Sequence, residues 1–388
     1  MGNLKIPEIR FPEFNGEWKN KKLGDIGDYM GGGTPDTTIS HFWEGQIPWI
    51  SSSDIQENNI HELRITRFIT EKAIKKSATK LLPSNSILMV SRVGIGKFAI
   101  SKTPICTSQD FTNLLPNDDD PYFLAYNFCS RVRLFLRYSQ GTSIKGFTGT
   151  DIKNIRLPIP QISEQQKIAS FFTAIDQKIS QLKKKHQLLE QYKKGVMQKI
   201  FSQQIRFKDD DGREFPKWEK KRLGEIGITY NGLSGKSGDD FGQGMPYIQY
   251  KQIFDSSRIE ISKFGYVDIK SNEKQKKVNF GDVFFTVSSE TPNEVGMASV
   301  LLDKVDELYL NSFCFGYRIN SFKELSPLFA QYLFRSPNFR KDVIKLGQGS
   351  TRYNMSKVEL MKIEIQLPCE KEQLKISSFL ATIDNKIY

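Results

Sequence analysis

The chain has 388 residues, of which 38% are hydrophobic and 26% are charged, and its formal net charge is +12. This composition is typical of a globular protein of two or three domains, and no run approaches the roughly 20 apolar residues of a membrane helix. The first residues contain no apolar secretory core, so we expect a cytoplasmic protein without a membrane partner. The positive charge favours a polyanionic partner, because lysine and arginine release the counterions condensed on phosphates.

The residues that usually support catalysis are sparse. The four cysteines and three histidines are scattered, whereas zinc needs ligands at close spacings, so we expect ordinary buried thiols and no metal. Asp151-x-Lys153 and Asp268-x-Lys270 resemble fragments of a nuclease site, but neither has a convincing upstream carboxylate. We predict that the chain catalyses nothing.

The same unit occurs twice in the chain. WKNKKLGDIG at 18–27 returns as WEKKRLGEIG at 218–227, and PQISEQQKIASFFTAIDQKI at 160–179 returns as PCEKEQLKISSFLATIDNKI at 368–387. A smaller echo joins Ile9-Arg10-Phe11 to Ile205-Arg206-Phe207. The order is therefore circular, because the chain begins where a helix like the central one would have ended.

The regions between these anchors differ between the two copies. IPWI at 47–50 faces MPYI at 245–248, and Gln-Gly-Thr at 140–142 faces Gln-Gly-Ser at 348–350, but little else matches. A shared scaffold with different middles is expected if each copy reads a different target. The alternative is an old duplication whose loops have drifted without purpose.

Short β-rich runs and helical patterns alternate within each copy. Residues 86–93 and 282–288 read as strands, and residues 122–138 and 327–339 read as helices. Each copy is therefore predicted to be an α+β domain.

Two glycine motifs resemble nucleotide-binding loops. Gly94-x-Gly96-x-x-Ala99 would need a helix to open there, but residues 97–101 read as another strand, so we predict a strand–turn–strand. Gly235-Lys236-Ser237 ends like a phosphate-binding loop, but Tyr230 stands where that loop needs glycine. An Asn/Asp-Pro-Pro-aromatic motif of adenine methyltransferases is absent from the sequence.

Residues 163–203 read as one amphipathic helix about 60 Å long. Such a narrow apolar stripe favours a partner helix, and the second copy supplies one that ends at Tyr388, so that second helix is expected to be truncated. The side chains predicted for helix pairing or partner docking are Ile168, Phe171, Phe172, Ile175, Ile179, Leu182, Leu189, Ile376, Phe379, Leu380, Ile383 and Ile387.

Turns rich in basic, hydroxyl and amide groups recur at corresponding places in both copies. These residue types contact phosphates and base edges, although any single one could equally belong to a solvated loop. The candidates in the first copy are Ser51, Ser52, Ser53, Asp54, Ser91, Arg92, Lys97, Thr142, Ser143 and Lys145. Those in the second copy are Tyr250, Lys251, Gln252, Ser288, Ser289, Glu290, Arg352, Tyr353 and Asn354.

The doubled anchors resemble those of type I restriction-modification specificity subunits: Trp-x4-Leu-Gly-[Asp/Glu]-Ile opens each unit and Pro-x3-Glu-Gln-x-Lys-Ile-x-x-Phe closes it. The resemblance covers essentially the whole chain. It implies a first target-recognition domain at 1–162, a central helix at 163–204, a second recognition domain at 205–370 and the start of a second helix at 371–388. In that family the two helices pair antiparallel and set the gap between two DNA half-sites.

The resemblance also implies partners. They are double-stranded DNA, methyltransferase subunits docked on the helices and a motor-nuclease subunit, while S-adenosylmethionine, ATP and Mg²⁺ belong to the partner subunits and no cofactor to this chain. Two alternatives remain open. One is a duplicated DNA-binding regulator without methyltransferase partners, and the other is a self-contained nuclease.

Overall fold

The computed structural model describes residues 7–139 and 146–387. The chain divides into two compact units, Met1–Leu182 (unit 1) and Lys183–Tyr388 (unit 2), and the division falls within one long helix. The domain boundaries expected from the sequence follow motifs rather than packing, so they remain a prediction.

Unit 1 mixes short strands and helices. Its elements are β1 (Lys19–Lys22), β2 (Gly27–Gly31), β3 (Ile47–Ile50), β4 (Arg67–Ile69), α1 (Glu71–Lys75), β5 (Ile87–Met89), β6 (Phe98–Ile100), β7 (Cys106–Thr107), β8 (Thr112–Pro116), α2 (Pro121–Ser130), α3 (Val132–Arg137), α4 (Gly149–Lys153), β9 (Arg156–Ile159) and α5 (Ile162–Phe201), of which α5 continues into unit 2.

Three small sheets organise unit 1. They have the strand orders β2-β8-β5-β6, β4-β3-β7 and β1-β9. All neighbours are antiparallel except β3 and β7, which run parallel. Strands β5 and β6 are buried on both faces, which is why their sequences are continuous apolar runs rather than alternating ones.

Unit 2 repeats the strand order of unit 1 and adds three strands. Its elements are β10 (Glu219–Arg222), α6 (Leu223–Ile226), β11 (Gly227–Asn231), β12 (Phe241–Ile248), α7 (Tyr250–Asp255), β13 (Gly265–Val267), β14 (Val283–Thr286), β15 (Ser288–Ser289), β16 (Ala298–Val300), β17 (Tyr309–Leu310), β18 (Cys314–Ile319), α8 (Pro327–Leu333), α9 (Pro337–Ile344), β19 (Gly347–Gln348), β20 (Tyr353–Met355), α10 (Lys357–Met361), β21 (Glu364–Leu367) and α11 (Glu370–Ile387). The sheets β11-β18-β14-β16, β13-β12-β17 and β10-β21 match those of unit 1, and β15-β20-β19 is extra.

Several sequence predictions about these elements can be compared with the fold. The strand–turn–strand at 86–101 is confirmed as the antiparallel β5–β6 hairpin, with Gly94 and Gly96 at positive φ in the turn. The central helix is confirmed as α5, whose 40 residues span about 60 Å.

The segments expected to be helical at 122–138 and 327–339 are helical in the structure, and each is divided into two helices. In unit 2, Pro337 begins α9, because proline lacks the N–H needed inside a helix and fits its first turn. In unit 1, Arg131 leaves helical geometry between α2 and α3. This break lets Phe128 and Phe135 pack together in the core, with ring centroids 5.3 Å apart.

The repeated anchor residues hold the start of a helix against its own unit. In unit 1, Arg10 donates two hydrogen bonds of 2.7 and 2.6 Å to Glu164 on α5, and the Trp18 indole donates a third at 3.1 Å. The Glu164 side chain is completely buried. The motif that carries the family resemblance therefore has a structural role, which is to fix the start of α5 to unit 1.

Unit 2 contains the same contacts, made by the second copy of the motif. Arg206 and Trp218 donate to the buried Glu372 at the start of α11, the indole at 3.1 Å. Gln165 and Gln373 repeat a further contact, each donating to the carbonyl of the proline five residues earlier.

Within unit 2, the end of α5 packs against α11. Lys193 forms an ion pair with Asp384, whereas Arg206, beyond the end of α5, reaches Glu372. The two segments therefore run antiparallel. The apolar side chains Met197, Ile200, Phe201, Ile376, Leu380 and Ile383 belong to one core cluster.

Candidate nucleic-acid interface

Three of the segments predicted to contact DNA meet in unit 2. They surround a cavity of about 640 Å³, which we call the unit 2 cavity. Its lining consists of Tyr250, Lys251, Phe254, Ser288, Ser289, Glu290, Thr291, Glu294, Phe313 and Arg352. Residues about 100 positions apart in the sequence thus share one surface.

Short contacts fix these segments to one another. The Tyr250 hydroxyl, at the start of α7, donates a 2.7 Å hydrogen bond to the Ser288 carbonyl. Its ring stacks on Phe254 with centroids 6.3 Å apart, and burial raises the pKa of its phenol. Ser288 in turn pairs with Asn354 in the ladder between β15 and β20.

Two largely buried arginines donate hydrogen bonds to the main chain within or next to these segments. Arg335 donates to the main-chain carbonyls of residues 253, 254 and 256, at the end of α7, and to that of residue 298. Arg340 donates to the carbonyls of residues 293, 295 and 296, just after Glu290. Burial lowers the pKa of each guanidinium to about 10, so both remain charged at neutral pH.

Sequence reasoning missed Arg335 and Arg340. Their carbonyl partners lie 37 to 82 residues away in the sequence, and no local pattern distinguishes them from surface cations. Only the fold reveals that they position the loops.

Charged and aromatic side chains project from the rim of the unit 2 cavity. Glu290 and Arg352 are 81% and 69% exposed and lie 3.6 Å apart. Phe313 is 66% exposed, although its main chain is fixed by hydrogen bonds with Asn311 and Val287. These groups face solvent while their backbones are held, which is the arrangement that a recognition surface requires.

Some predicted contact residues in unit 2 point inward instead. Gln252 is buried and donates to the Glu260 carbonyl at 3.1 Å, and the buried Ser289 hydroxyl accepts from the Thr291 N–H. Tyr353 is partly buried against the core, whereas Asn354 is exposed. Gln252 and Ser289 therefore shape the surface, and Lys251, Glu290, Arg352 and Asn354 form it.

Unit 1 brings its corresponding segments together in the same way. Lys97, beyond the β5–β6 turn, lies 3.5 Å from the Ser52 carbonyl. Arg92 is exposed, and its main chain pairs antiparallel with that of Gly146. The pairing of Ser288 with Asn354 is the corresponding contact in unit 2. Thr142, Ser143 and Lys145 lie outside the described residues.

Hydroxyl and carboxylate groups of the unit 1 segments are largely engaged within the protein. Ser51 and Asp54 form a capping box, and Arg67 contacts both while its guanidinium lies 4.5 Å from the Trp49 ring centroid. Ser91 is buried and donates to the Asp110 carbonyl. Ser53 is exposed.

The residues predicted for helix pairing or partner docking fall into two groups. In unit 2, Ile376, Leu380 and Ile383 are buried, and Phe379 and Ile387 pack against the same core. In unit 1, only Ile168 packs against a core cluster, and Leu189, in the unit 2 part of α5, is partly buried. The exposed members, between 38% and 50% accessible, are Phe171, Phe172, Ile175, Ile179 and Leu182.

The loop that resembles a phosphate-binding motif and the possible metal ligands were also compared with the contacts in the structure. Lys236, in the loop that resembles a phosphate-binding motif, is buried in an ion pair with Glu273 at 2.6 Å, so it is not free for a nucleotide. Across residues 7–139 and 146–387, no three His, Cys, Asp or Glu side chains are grouped to hold a metal ion. No helix in these same ranges is long and apolar enough to cross a bilayer.

Comparisons with known proteins identify the class to which this fold and surface belong. The family model described as "Type I restriction modification DNA specificity domain" matches residues 15–191 and again residues 216–388. The chain therefore belongs to the type I restriction-modification DNA specificity family, and the resemblance inferred from the repeated anchors is confirmed.

Particular relatives agree with this assignment. The chain is 32% identical over 292 residues to the type I restriction enzyme MjaIX specificity subunit of Methanocaldococcus jannaschii, covering 72% of this chain and 68% of that protein. It is 23% identical to the MjaVIII specificity subunit of the same organism, covering 100% and 89%. The crystal structure of a type I restriction-modification S subunit from M. genitalium matches with a TM-score of 0.60 at 13% identity, covering 99% and 92%, which confirms the fold.

Proposed function

We propose that the chain reads a split double-stranded DNA site for a type I restriction-modification complex, with one half-site read by each unit and no catalytic step of its own. The observation that carries the proposal is the agreement of two features. The DNA specificity family matches twice, and each match contains one set of converging loops with its own side chains. The two units share their anchor motifs and sheets but differ in the side chains of these loops, as expected if each unit recognises a different DNA sequence.

The chemistry of these loops supports a division of labour. Lysines and arginines at their edges would set the register on phosphates, while a few polar side chains would discriminate base edges. The net charge of +12 is in keeping with the phosphate contribution.

Methyltransferase subunits are the proposed partners on the helices, and a motor-nuclease subunit would join for cleavage. The exposed apolar side chains of α5 in unit 1 support a protein partner, because contiguous exposed apolar patches mark interaction surfaces. S-adenosylmethionine, ATP and Mg²⁺ would be bound by those partners. Such a complex would work in the cytoplasm, where the DNA is.

The phosphate contacts can be tested in unit 1 by changing Arg92 and Lys97 together to alanine. DNA affinity is measured over a salt series with the chain assembled with its methyltransferase subunits. Each lost phosphate contact should reduce the slope of log affinity against log salt by about 0.9. The matched control is Arg156 with Lys19, a pair on the β1–β9 sheet. An unchanged slope for the first pair contradicts its assignment.

Modularity can be tested by replacing the interior of unit 2, between β10 and β21, with that of another family member. Methylome sequencing of a host carrying the hybrid should show one changed half-site and one retained half-site. A hybrid that changes both halves, or neither, contradicts readout of one half-site by each unit.

A further inference from the structure

Opposite charges meet at the rim of the unit 2 cavity without being buried. Arg352 Nη2 and Glu290 Oε1 lie 3.6 Å apart, and both side chains are mostly exposed. An exposed pair at this distance adds little stability, so its place among the DNA-facing loops needs another explanation.

The backbone beneath each charge is held in place. Arg352 lies in the turn between β19 and β20, and Gly349 opens that turn at φ 129°. A Cβ atom at Gly349 would lie 2.0 Å from the Arg352 carbonyl oxygen, so the turn requires glycine. Glu290 directly follows β15, which pairs with β20, and Arg340 fixes the carbonyls after it. Both groups are therefore presented from one small sheet.

A carboxylate facing DNA restricts the possible ligands. Phosphates repel it, and the base groups from which it can accept in the major groove are cytosine N4 and adenine N6. A guanidinium prefers guanine O6 and N7. In a G·C pair the guanine O6 acceptor and the cytosine N4 donor are neighbours, separated by a hydrogen-bond distance of roughly 3 Å. The spacing between Arg352 and Glu290 is similar.

We propose that Arg352 and Glu290 together read one G·C base pair in the half-site of unit 2, with Arg352 donating to guanine and Glu290 accepting from cytosine N4. This inference rests on the proposed function and adds a specific base pair to it. It accounts for a carboxylate that phosphate binding alone would disfavour.

The test is selection from a random DNA library by the chain assembled with its methyltransferase subunits. The wild type should recover one invariant G·C pair in one half-site. Arg352→Ala and Glu290→Gln should each relax preference at that same position and leave the other positions intact. Arg352→Ala should weaken binding to the best site by about 5- to 150-fold. The matched control is Arg258→Ala with Asp303→Asn, an exposed pair outside the cavity that should leave the preference unchanged.

Modified DNA provides a measurement that needs no variant. Replacing guanine at that position with 7-deazaguanine removes the N7 acceptor. The affinity of the wild-type chain for this DNA should fall, whereas the affinity of the Arg352→Ala variant should not change. The inference is overturned if the recovered half-sites lack an invariant G·C pair, if the two variants relax different positions, or if 7-deazaguanine has no effect on the wild type. If the wild type recovers no preferred sequence in either half-site, the proposed function itself is wrong.

Discussion

Replacing Arg335 with methionine should destabilise unit 2 and loosen α7. Three N–H groups of Arg335 serve four main-chain carbonyls, with distances of 2.6 to 3.0 Å. Hydrogen bonds from a charged donor contribute about 1.5–3 kcal/mol each. Burial of the guanidinium opposes them and lowers its pKa to about 10. We expect the free energy of unfolding to fall by about 2–4 kcal/mol, because methionine retains the apolar stem but leaves the carbonyls unpaired.

Thermal unfolding and hydrogen exchange together measure this effect. A loss of this size corresponds to a fall in Tm on the order of 10 °C for a unit of this length. Exchange should increase most over residues 250–256, because Arg335 holds the carbonyls of residues 253, 254 and 256 at the end of α7. Arg222→Met is the matched control, since that side chain is largely exposed and its ion pair with Glu364 is long, at 3.6 Å. If Arg335→Met melts like the wild type, or if exchange rises equally throughout unit 2, the positioning role is wrong.

Three further changes test other contacts. Gly349→Ala should relax the sequence preference at the position assigned to Arg352 with little change in Tm, because the strain is confined to one exposed turn; normal selectivity would show that the turn adapts. Glu164→Gln should lower the Tm of unit 1 because the glutamine amide would face Arg10, whereas Glu13→Gln, at a carboxylate that is about half exposed, should not. Burial lowers the pKa of His61 below 6.5, so the unfolded chain binds the proton more tightly and the stability of unit 1 should decrease as the pH falls from 7 towards 5. His61→Gln should flatten that dependence in pH-resolved denaturation, and an unchanged slope would assign it to another group.

Local sequence pattern predicted the elements whose signals are themselves local. The apolar period of α5 and the glycine-rich turn of the β5–β6 hairpin both lie within a few residues of what they determine. The repeated Glu-Gln anchors were recognised as a family signature, but their role was not. Glu164 contacts Arg10 across 154 residues, and such a pairing is set by the tertiary fold.

The candidate interface was predictable by segment and less so by residue. The segments predicted in unit 2 do meet at one cavity. Within them, however, Gln252 and Ser289 turn inward while Glu290 and Arg352 turn outward. A short strand alternates its side chains between two faces, and the pairing that decides which face is buried joins residues about 65 positions apart.

The pairing of β1 with β9, and of β10 with β21, has a consequence for how such genes change. The part of each unit between these strands begins after the first strand of the pair and ends before the second. The two strands are adjacent and are joined by four residue pairs. Two crossovers in the codons for those strands would therefore transplant a whole reader while preserving the hydrogen bonds of Arg10 and Trp18 to Glu164. The residues that flank each interior belong to similar motifs in both halves of the chain. Exchange of a whole interior at these strands would therefore change the DNA specificity while retaining the strand pairing that closes each unit.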